Sequence, residues 1–365
     1  MYNNLCEMSN RIYFSGLNVL RFFAAFAVLV FHSAQWYHYK FDTPFKMFLH
    51  NLPIAVDFFF IISGFLIIYL LLIEKHKTGS ISLKNFYVRR FLRIFPLYYL
   101  IILIAFLFLQ TPHDVVNWDK FLYFWGNFWL IGENSWTLSA LNPLWSINIE
   151  EHFYLVVPVL VMITPVKFLK YLFGFIILLS FGFRFYATKT IPDNWMTIYM
   201  HTFSQMDLLA MGGLLALYHF KHKLRFNFSA ALYLVLLFGF IILMTLVDSK
   251  DYSNLYFATV KKYLFAIPLL FLLIFFVFNE HPSFDRIKNN KWLNYFGKIS
   301  YGIYLYNALF IELLERNDWL QSHYAVKLVL DIAITLLAAS LSYEFFEKQF
   351  LKLKKKFQTI KTGKV

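Results

Sequence analysis

The chain has 365 residues and a formal net charge of +13; 59% of its residues are hydrophobic and only 15% are charged. A soluble protein of this length would need far more polar surface, so the composition excludes a soluble enzyme and predicts an all-α polytopic membrane protein. Cys6 is the only cysteine, which excludes a disulfide and a thiolate metal cluster, and we predict no metal site.

The first two membrane-length apolar runs carry ionisable residues. In run 17–34, Arg21 lies near the start and His32 near the end, about 16 Å apart along a helix. Run 53–73 carries Asp57 close to its start. Charged groups inside a bilayer are costly, so they usually pair or face a wet cavity. We predict that His32 pairs with Asp57 and accepts a proton. A buried ion pair that only fixes helix packing is the alternative.

Arginines crowd the start of the third run: Arg89, Arg90 and Arg93. Positions 89 and 93 are four apart and therefore share a helix face. Arginine is the preferred residue for phosphate and carboxylate, because its planar fork donates two parallel hydrogen bonds. Together with Arg21, these residues predict an anion-binding group. For Arg89 and Arg90, a role as plain cytoplasmic anchors is the alternative.

The pattern of apolar runs predicts about ten transmembrane helices. The predicted spans are 17–35, 53–73, 92–110, 149–164, 168–186, 203–219, 228–247, 260–279, 296–314 and 326–346. Lysine and arginine concentrate in the loops that this count places in the cytoplasm, which predicts that both termini are cytoplasmic in a multi-pass protein of the cell membrane. This bias accounts for the positive net charge, so we do not predict nucleic acid as a partner.

Residues 118–131 are aromatic and apolar but short for a span, so we predict an interfacial or re-entrant segment on the outer side. The sequence contains no repeats or flexible linkers. We therefore predict one membrane domain, 14–351, between a cytoplasmic N-terminus, 1–13, and a basic cytoplasmic tail, 352–365. The tail is interpreted as solvated and facing anionic lipid.

The fourth run opens with LWSINIEEHFYLVVP. Ser146, Glu150 and Tyr154 repeat every four residues and therefore face one way. Helix capping by Ser146 and the acidic first turn is the alternative to a role in binding. Further along, Asp207, Asp331 and Arg184 lie near span ends, and spacing alone does not pair them.

Several motifs of the chain resemble those of acyltransferase family 3, the integral-membrane acyltransferases that modify extracytoplasmic sugars. The matching segments are LNVLRFFAAFAVLVFHS with Arg21 eleven positions before His32, VDFFFIISGFLI with Asp57, FYVRRFLRIFPLYYL, LWSINIEEHFYLVVP with Trp145 and Ser146, and FGKISYGIYLYN. Two positions depart from the family pattern. Asn307 stands where the family often has histidine, and His152 stands where it often has glutamine.

The resemblance implies a donor and an acceptor on opposite sides of the bilayer. The expected donor is cytoplasmic acyl-CoA, with acetyl-CoA the expected form, and no tightly bound cofactor is expected. The expected acceptor is a hydroxyl of an extracytoplasmic sugar or glycolipid. A secondary transporter that uses buried His, Asp and Arg for coupling is the main alternative, and a non-catalytic lipid-binding scaffold is another.

The same resemblance assigns roles to the candidate site residues. His32 is expected to be the general base, with Asp57 holding the imidazole and stabilising its protonated form. Direct transfer and an acyl-histidine intermediate are both open. The remaining candidates bind substrate: Arg21, Arg89, Arg90 and Arg93 at the CoA phosphates, and Trp145, Ser146, Glu150 and Tyr154 further along, with Glu150 and Tyr154 positioning the acceptor.

Overall fold

The computed structural model describes residues 11–34, 44–111, 115–191, 193–248 and 255–362. In this part of the chain, helices pack side by side into a bundle. A two-residue strand near each end pairs in parallel, β1 (Arg11–Ile12) with β2 (Lys361–Thr362). The predicted all-α class is therefore confirmed, and the strand pair joins the two ends of the described chain.

The helices follow the apolar runs, with short helices in the connections. In chain order they are α1 (Leu17–Ser33), α2 (Pro44–Asn51), α3 (Ile54–Thr78), α4 (Leu83–Ile104), α5 (Trp118–Leu122), α6 (Gly126–Glu133), α7 (Leu144–Ile163), α8 (Leu169–Thr190), α9 (Trp195–Met200), α10 (Thr202–His222), α11 (Ala230–Leu246), α12 (Leu255–Val277), α13 (Asp285–Lys288), α14 (Lys291–Lys298), α15 (Ser300–Glu315), α16 (Asp318–Ser322), α17 (Tyr324–Ser342) and α18 (Lys348–Lys354). Helix α4 continues as a π-helix over Ala105–Leu109, and a second π-helix, Tyr343–Glu347, joins α17 to α18. Two 3₁₀ turns are Pro282–Phe284 and Lys355–Phe357.

Six helical stretches are long and apolar enough to cross a membrane: Phe45–Thr78, Leu83–Leu109, Leu144–Ile163, Leu169–Thr190, Thr259–Val277 and Tyr324–Phe357. Two shorter apolar helices, α1 and α11, accompany them. Nine of the ten predicted spans coincide largely with one helix or its π-helical extension, and 296–314 covers the end of α14 and most of α15; the number of crossings is not confirmed. Segment 118–131 forms two short helices, α5 and most of α6, and its place at the interface stays a prediction.

Helices α3 and α10 touch through their backbones because each has a glycine at the contact. A Cβ atom on Gly64 would lie 2.0 Å from the Leu209 carbonyl oxygen, and one on Gly212 would lie 2.1 Å from the Ile61 carbonyl oxygen. Small residues allow such close approach where the bilayer provides no hydrophobic drive between helices. This contact determines which face of α3 packs against α10. It therefore also determines which side chains of α3 point towards other neighbours.

Helix α7 is tied to α3 at its C-terminal end. The Lys75 ammonium, at the end of α3, donates to the carbonyl oxygens of Val161, Met162 and Thr164 at 2.8, 2.9 and 2.8 Å. These carbonyls include groups that a helix end leaves without an internal partner, and the positive charge also opposes the negative end of the helix dipole. The two helices therefore hold a fixed register, which aligns their polar side chains.

Candidate functional site

Three adjoining cavities run along the bundle. The basic cavity, about 240 Å³, is lined by Arg21, Arg89, Arg90, Arg93 and Lys354 among others. The central cavity, about 100 Å³, shares Arg21, Arg90 and Arg93 with it. The tryptophan cavity, about 360 Å³, is lined by His32, Trp136, Trp145 and Trp195 and shares Val56 and Tyr304 with the central cavity. Most of the candidate residues from the sequence therefore lie along one path.

The basic cavity brings together the four arginines singled out in the sequence. Arg89 is partly engaged, since its guanidinium lies 3.3 Å from the Glu74 carboxylate and donates to the Phe357 carbonyl oxygen at 2.8 Å. Arg90 lies over the rings of Phe86 and Tyr154, 5.8 and 5.7 Å from their centroids. Its Nε atom is buried and has no hydrogen-bond partner among the described residues. This guanidinium retains donor capacity for an anion.

The central cavity contains a carboxylate held by two hydroxyls. Ser63 Oγ donates to Glu150 Oε1 at 2.7 Å, and the Tyr154 hydroxyl donates to Glu150 Oε2 at 3.1 Å. Ser63 lies on α3, whereas Glu150 and Tyr154 lie one turn apart on α7. Because α7 begins at Leu144, Glu150 lies beyond its first turn. The carboxylate therefore faces a cavity that also contains arginine side chains.

Ser146 forms part of the boundary between two cavities. Its Oγ lies 2.8 Å from the Tyr304 hydroxyl, and both groups lie 3.1 Å from the Pro143 carbonyl oxygen. Ser146 thus bonds a carbonyl oxygen and a phenol, and at the start of α7 no described side chain accepts from the free amides, so the capping alternative is not seen. Tyr304, with Val56, lies where the central and tryptophan cavities meet.

Tyr304 was missed as a site residue. It lies in the FGKISYGIYLYN segment that carries the family resemblance, but nothing in its spacing marks it out from Tyr301 and Tyr306. Only the packing of α15 against α7 distinguishes it, because that packing places its hydroxyl beside Ser146. The sequence motif could have flagged the segment, but not the residue.

A row of aromatic rings forms the wall of the tryptophan cavity. Ring centroids of Trp136 and Trp195 are 6.1 Å apart, those of Trp195 and Tyr199 are 5.7 Å apart, and those of Tyr199 and Trp145 are 4.9 Å apart. Trp145 was predicted from its motif, but the other three were missed. A tryptophan near a membrane surface is ordinarily read as an interfacial anchor, which hides its role in a cavity.

His32 enters the tryptophan cavity from the last turn of α1. The C-terminal end of a helix carries partial negative charge. The same cavity is lined by the polar side chains of Asn142 and Glu315. The His32 imidazole therefore faces a space with hydrogen-bonding groups and aromatic walls.

Asp57 does not line the cavity that contains His32. The charged groups that act on its carboxylate are Lys262, Asp207 and Arg184, and among the described residues His32 is not one of them. Val56 lines that cavity, and the next residue on a helix points about 100° away from it. Pairing of His32 with Asp57 therefore stays a prediction, and Asp57 has a different set of charged neighbours.

Those neighbours form a buried ion cluster that spacing did not reveal. Arg184 and Asp207 are fully buried with 2.7 Å between Nη2 and Oδ2, and Lys262 Nζ lies 3.5 Å from Asp207 Oδ1. Arg184 and Lys262 also donate to the Ser204 carbonyl oxygen at 2.6 and 2.7 Å. The cluster ties α8, α10 and α12 together beside α3.

Asn307, at the family's frequent histidine position, belongs to another buried group. Its Nδ2 donates to Asp331 Oδ2 at 3.3 Å, and Ser33 Oγ donates to the same oxygen at 2.5 Å. Ser33 directly follows His32, so this group holds the end of α1 against α15 and α17. Among the residues described, no cluster of three or more His, Cys, Asp or Glu is arranged to hold a metal ion.

Comparison with known proteins places this geometry in context. The Acyltransferase domain family matches residues 14–344. Similar curated proteins include O-acetyltransferase OatA of Staphylococcus aureus strain NCTC 8325 / PS 47 and OatA of strain COL, each 27% identical over 370 residues. The match covers 95% of this chain but 58% of each relative, so the chain spans less than two thirds of the length of these relatives. None of the solved structures matched the chain.

Proposed function

This chain belongs to the Acyltransferase domain family of membrane O-acyltransferases, and we propose that it transfers an acetyl group from cytoplasmic acetyl-CoA to a hydroxyl of an extracytoplasmic glycan or glycolipid. The observation that carries the proposal is the path of three adjoining cavities from the arginines to His32. A donor whose phosphates stay at one end can present its thioester at the other only through such a path.

The donor end is the basic cavity, on the side that the distribution of lysine and arginine assigns to the cytoplasm. CoA carries a diphosphate and a third phosphate, and guanidinium groups bind phosphate oxygens through paired, charge-assisted hydrogen bonds. Arg90 and Arg93 line both the basic and the central cavities. They can hold the phosphates while the acyl arm extends inward.

The arm then passes through the central cavity towards Tyr304. The hydroxyls of Ser146 and Tyr304 bond each other and one backbone carbonyl, so the boundary is made of groups that can exchange partners. A thioester carbonyl at this point meets hydroxyl donors that can stabilise a developing negative charge on its oxygen. The acyl carbon is thereby delivered to the tryptophan cavity.

Transfer itself needs a base beside the acceptor hydroxyl, and His32 supplies it. Its ring nitrogen takes the hydroxyl proton as the oxygen attacks the acyl carbon. The tetrahedral intermediate collapses, the carbon–sulfur bond breaks, and the imidazolium returns the proton to the leaving thiolate. An ester and free CoA result. Attack by the imidazole nitrogen itself, giving an acyl-histidine, is the competing route to the same products.

Two groups are candidates for stabilising the protonated side chain of His32. The sequence assigns this role to Asp57, by analogy with carboxylates that stabilise a catalytic imidazolium. The negative end of α1 is the alternative, and it is supported by the charged groups that act on Asp57, which are Lys262, Asp207 and Arg184. Replacing Asp57 by asparagine distinguishes the two.

The acceptor end is suited to a sugar ring. Pyranose rings have a face of C–H groups that stacks on aromatic side chains, and a rim of hydroxyls that needs polar partners. The tryptophan cavity provides the rings of Trp136, Trp195 and Trp145, with Asn142 and Glu315 as hydrogen-bonding groups. Glycan or glycolipid is therefore the acceptor class that we propose.

The test uses inside-out membrane vesicles from cells that make the full chain, supplied with acetyl-CoA labelled in its acetyl group. Label should pass to lumenal glycan or glycolipid, and vesicles with the His32→Ala variant provide the matched control. Label that stays in acetyl-CoA, with equal amounts of folded protein in both preparations, would overturn the proposal and favour the transporter alternative.

A further inference from the structure

The C-terminal residues expected to form a solvated tail pack against the bundle. Helix α18 runs to Lys354, and Lys354, Gln358, Thr359 and Ile360 line the basic cavity. Lys354 and residues 357–360 are half-buried here, whereas the sequence predicts a solvated tail over 352–365. The sequence did not indicate this burial, because a lysine-rich segment next to a membrane helix is also typical of a surface that faces anionic lipid.

We call residues 354–360 the C-terminal strap. Arg89 Nη1 donates to the Phe357 carbonyl oxygen at 2.8 Å and lies 3.4 Å from Thr359 Oγ1. Directly after the strap, β2 pairs with β1, which precedes α1. The strap is thus attached at both ends, and it closes one wall of the basic cavity.

Lys354 is the cation that the strap contributes to the lining of the basic cavity. It is partly buried rather than exposed like its neighbours Lys355 and Lys356. Four cations act on its ammonium group: Arg93, Arg90, Arg89 and Arg21. Like charges gathered in a partly desolvated space repel one another unless an anion separates them.

The described acids do not provide that anion. Glu74 is the one carboxylate among the described residues that line the basic cavity, and it is occupied by Arg89 at 3.3 Å and by the Ser82 amide at 3.0 Å. Glu150 acts on Arg21 and Arg90, but it accepts from two hydroxyls and lines the central cavity rather than the basic one that contains Lys354. Glu347 acts on Arg93 but does not line the basic cavity.

We propose that the C-terminal strap is a wall of the donor site and that the Lys354 ammonium binds a phosphate of the donor nucleotide. This inference rests on the proposed function, because it assumes that CoA enters the basic cavity. It adds a fifth cation that no transmembrane motif contains, and it makes a segment outside the predicted membrane domain necessary for tight binding of the donor.

The experiment measures the Kd for CoA by isothermal titration calorimetry, with CoA titrated into the detergent-purified full chain. Lys354→Gln should weaken CoA binding about tenfold or more, the usual loss for one charge-assisted hydrogen bond. Lys355→Gln removes the same charge one residue away from an exposed position, and should leave the Kd unchanged. Lys354→Arg should retain most of the affinity, which shows that the position requires charge.

Two results would overturn the inference, and they differ. If Lys354→Gln binds CoA as tightly as the unaltered chain while Arg90→Ala binds it weakly, the donor site stands and the strap is not part of it. If the unaltered chain, monodisperse in detergent, binds no CoA, the donor assignment itself fails. A Lys354→Gln protein that aggregates is replaced by Lys354→Met, which keeps the apolar stem.

Discussion

Replacing His32 by alanine tests the proposed chemistry most directly. General base catalysis contributes about 10²–10⁴-fold to a rate, which corresponds to roughly 3–5 kcal/mol of transition-state stabilisation. His32 faces a cavity and is not part of the packed core, so its removal should cost little folded protein. We expect the transfer rate per folded molecule to fall by two to four orders of magnitude.

The assay is initial-rate transfer of labelled acetyl groups in membrane vesicles, normalised to folded protein by fluorescence-detected gel filtration. His32→Gln serves as the matched variant, because an amide fills similar space but cannot accept the proton at neutral pH. It should be as inactive as His32→Ala. A folded His32→Ala protein that keeps substantial activity would refute the mechanism.

Asp57→Asn then identifies the support for the imidazolium. The C-terminal end of a helix can stabilise a histidine cation by up to about 2 kcal/mol, independently of any carboxylate. Lys262 and Arg184 act electrostatically on the Asp57 carboxylate, so we expect the amide mainly to lower the amount of folded protein. If the folded yield is normal and the rate falls as far as in His32→Ala, with non-additive losses in the double variant, the pairing predicted from sequence is correct.

Three further outcomes follow from the geometry. Arg90→Ala should raise KM for acetyl-CoA by tenfold or more, since a charged hydrogen bond is worth about 1.5–3 kcal/mol, and leave KM for the acceptor nearly unchanged; unaltered donor kinetics would reduce it to a topology anchor. Trp195→Ala should raise KM for the acceptor roughly three- to tenfold, which is the size of an aromatic ring contact. Trp292 is 73% exposed, so the control variant Trp292→Ala should leave that KM unchanged. Asp207→Asn should destabilise the purified protein by about 3–5 kcal/mol, because it leaves the Arg184 charge buried without its partner; an unchanged melting temperature would contradict that assignment.

Much of the fold is predictable, because membrane helices can be recognised in a sequence by their length and hydropathy. The predicted spans fall on helices, except that 296–314 includes the end of α14 as well as α15. The arginines were also predictable as a group, because a charge within an apolar run is costly and is usually retained only where it meets a partner or a wet cavity. Their common cavity depends on how α1, α3 and α4 come together with residues 354–360, which all contribute to its lining.

The sequence could not show which helix face meets which neighbour. Val56 and Asp57 are adjacent in the chain, yet only Val56 lines the cavity of His32. Likewise, Trp195 and Trp136 come from different connections and meet only in the folded chain, at 6.1 Å. Rotation of a helix about its own axis depends on contacts such as Gly64 with Leu209, which are long-range and leave no periodic trace.

The boundary at Tyr304 bears on permeability. A water-filled passage across the whole bundle would let protons leak and dissipate the gradient that the membrane maintains. The central cavity shares three arginines with the basic cavity, and it shares Val56 and the hydrogen-bonded Tyr304 phenol with the tryptophan cavity. In the proposed mechanism we expect this junction to seal the path while no donor is bound. The acyl arm would then fill the gap during transfer, so that an acetyl group could cross without a leak of ions.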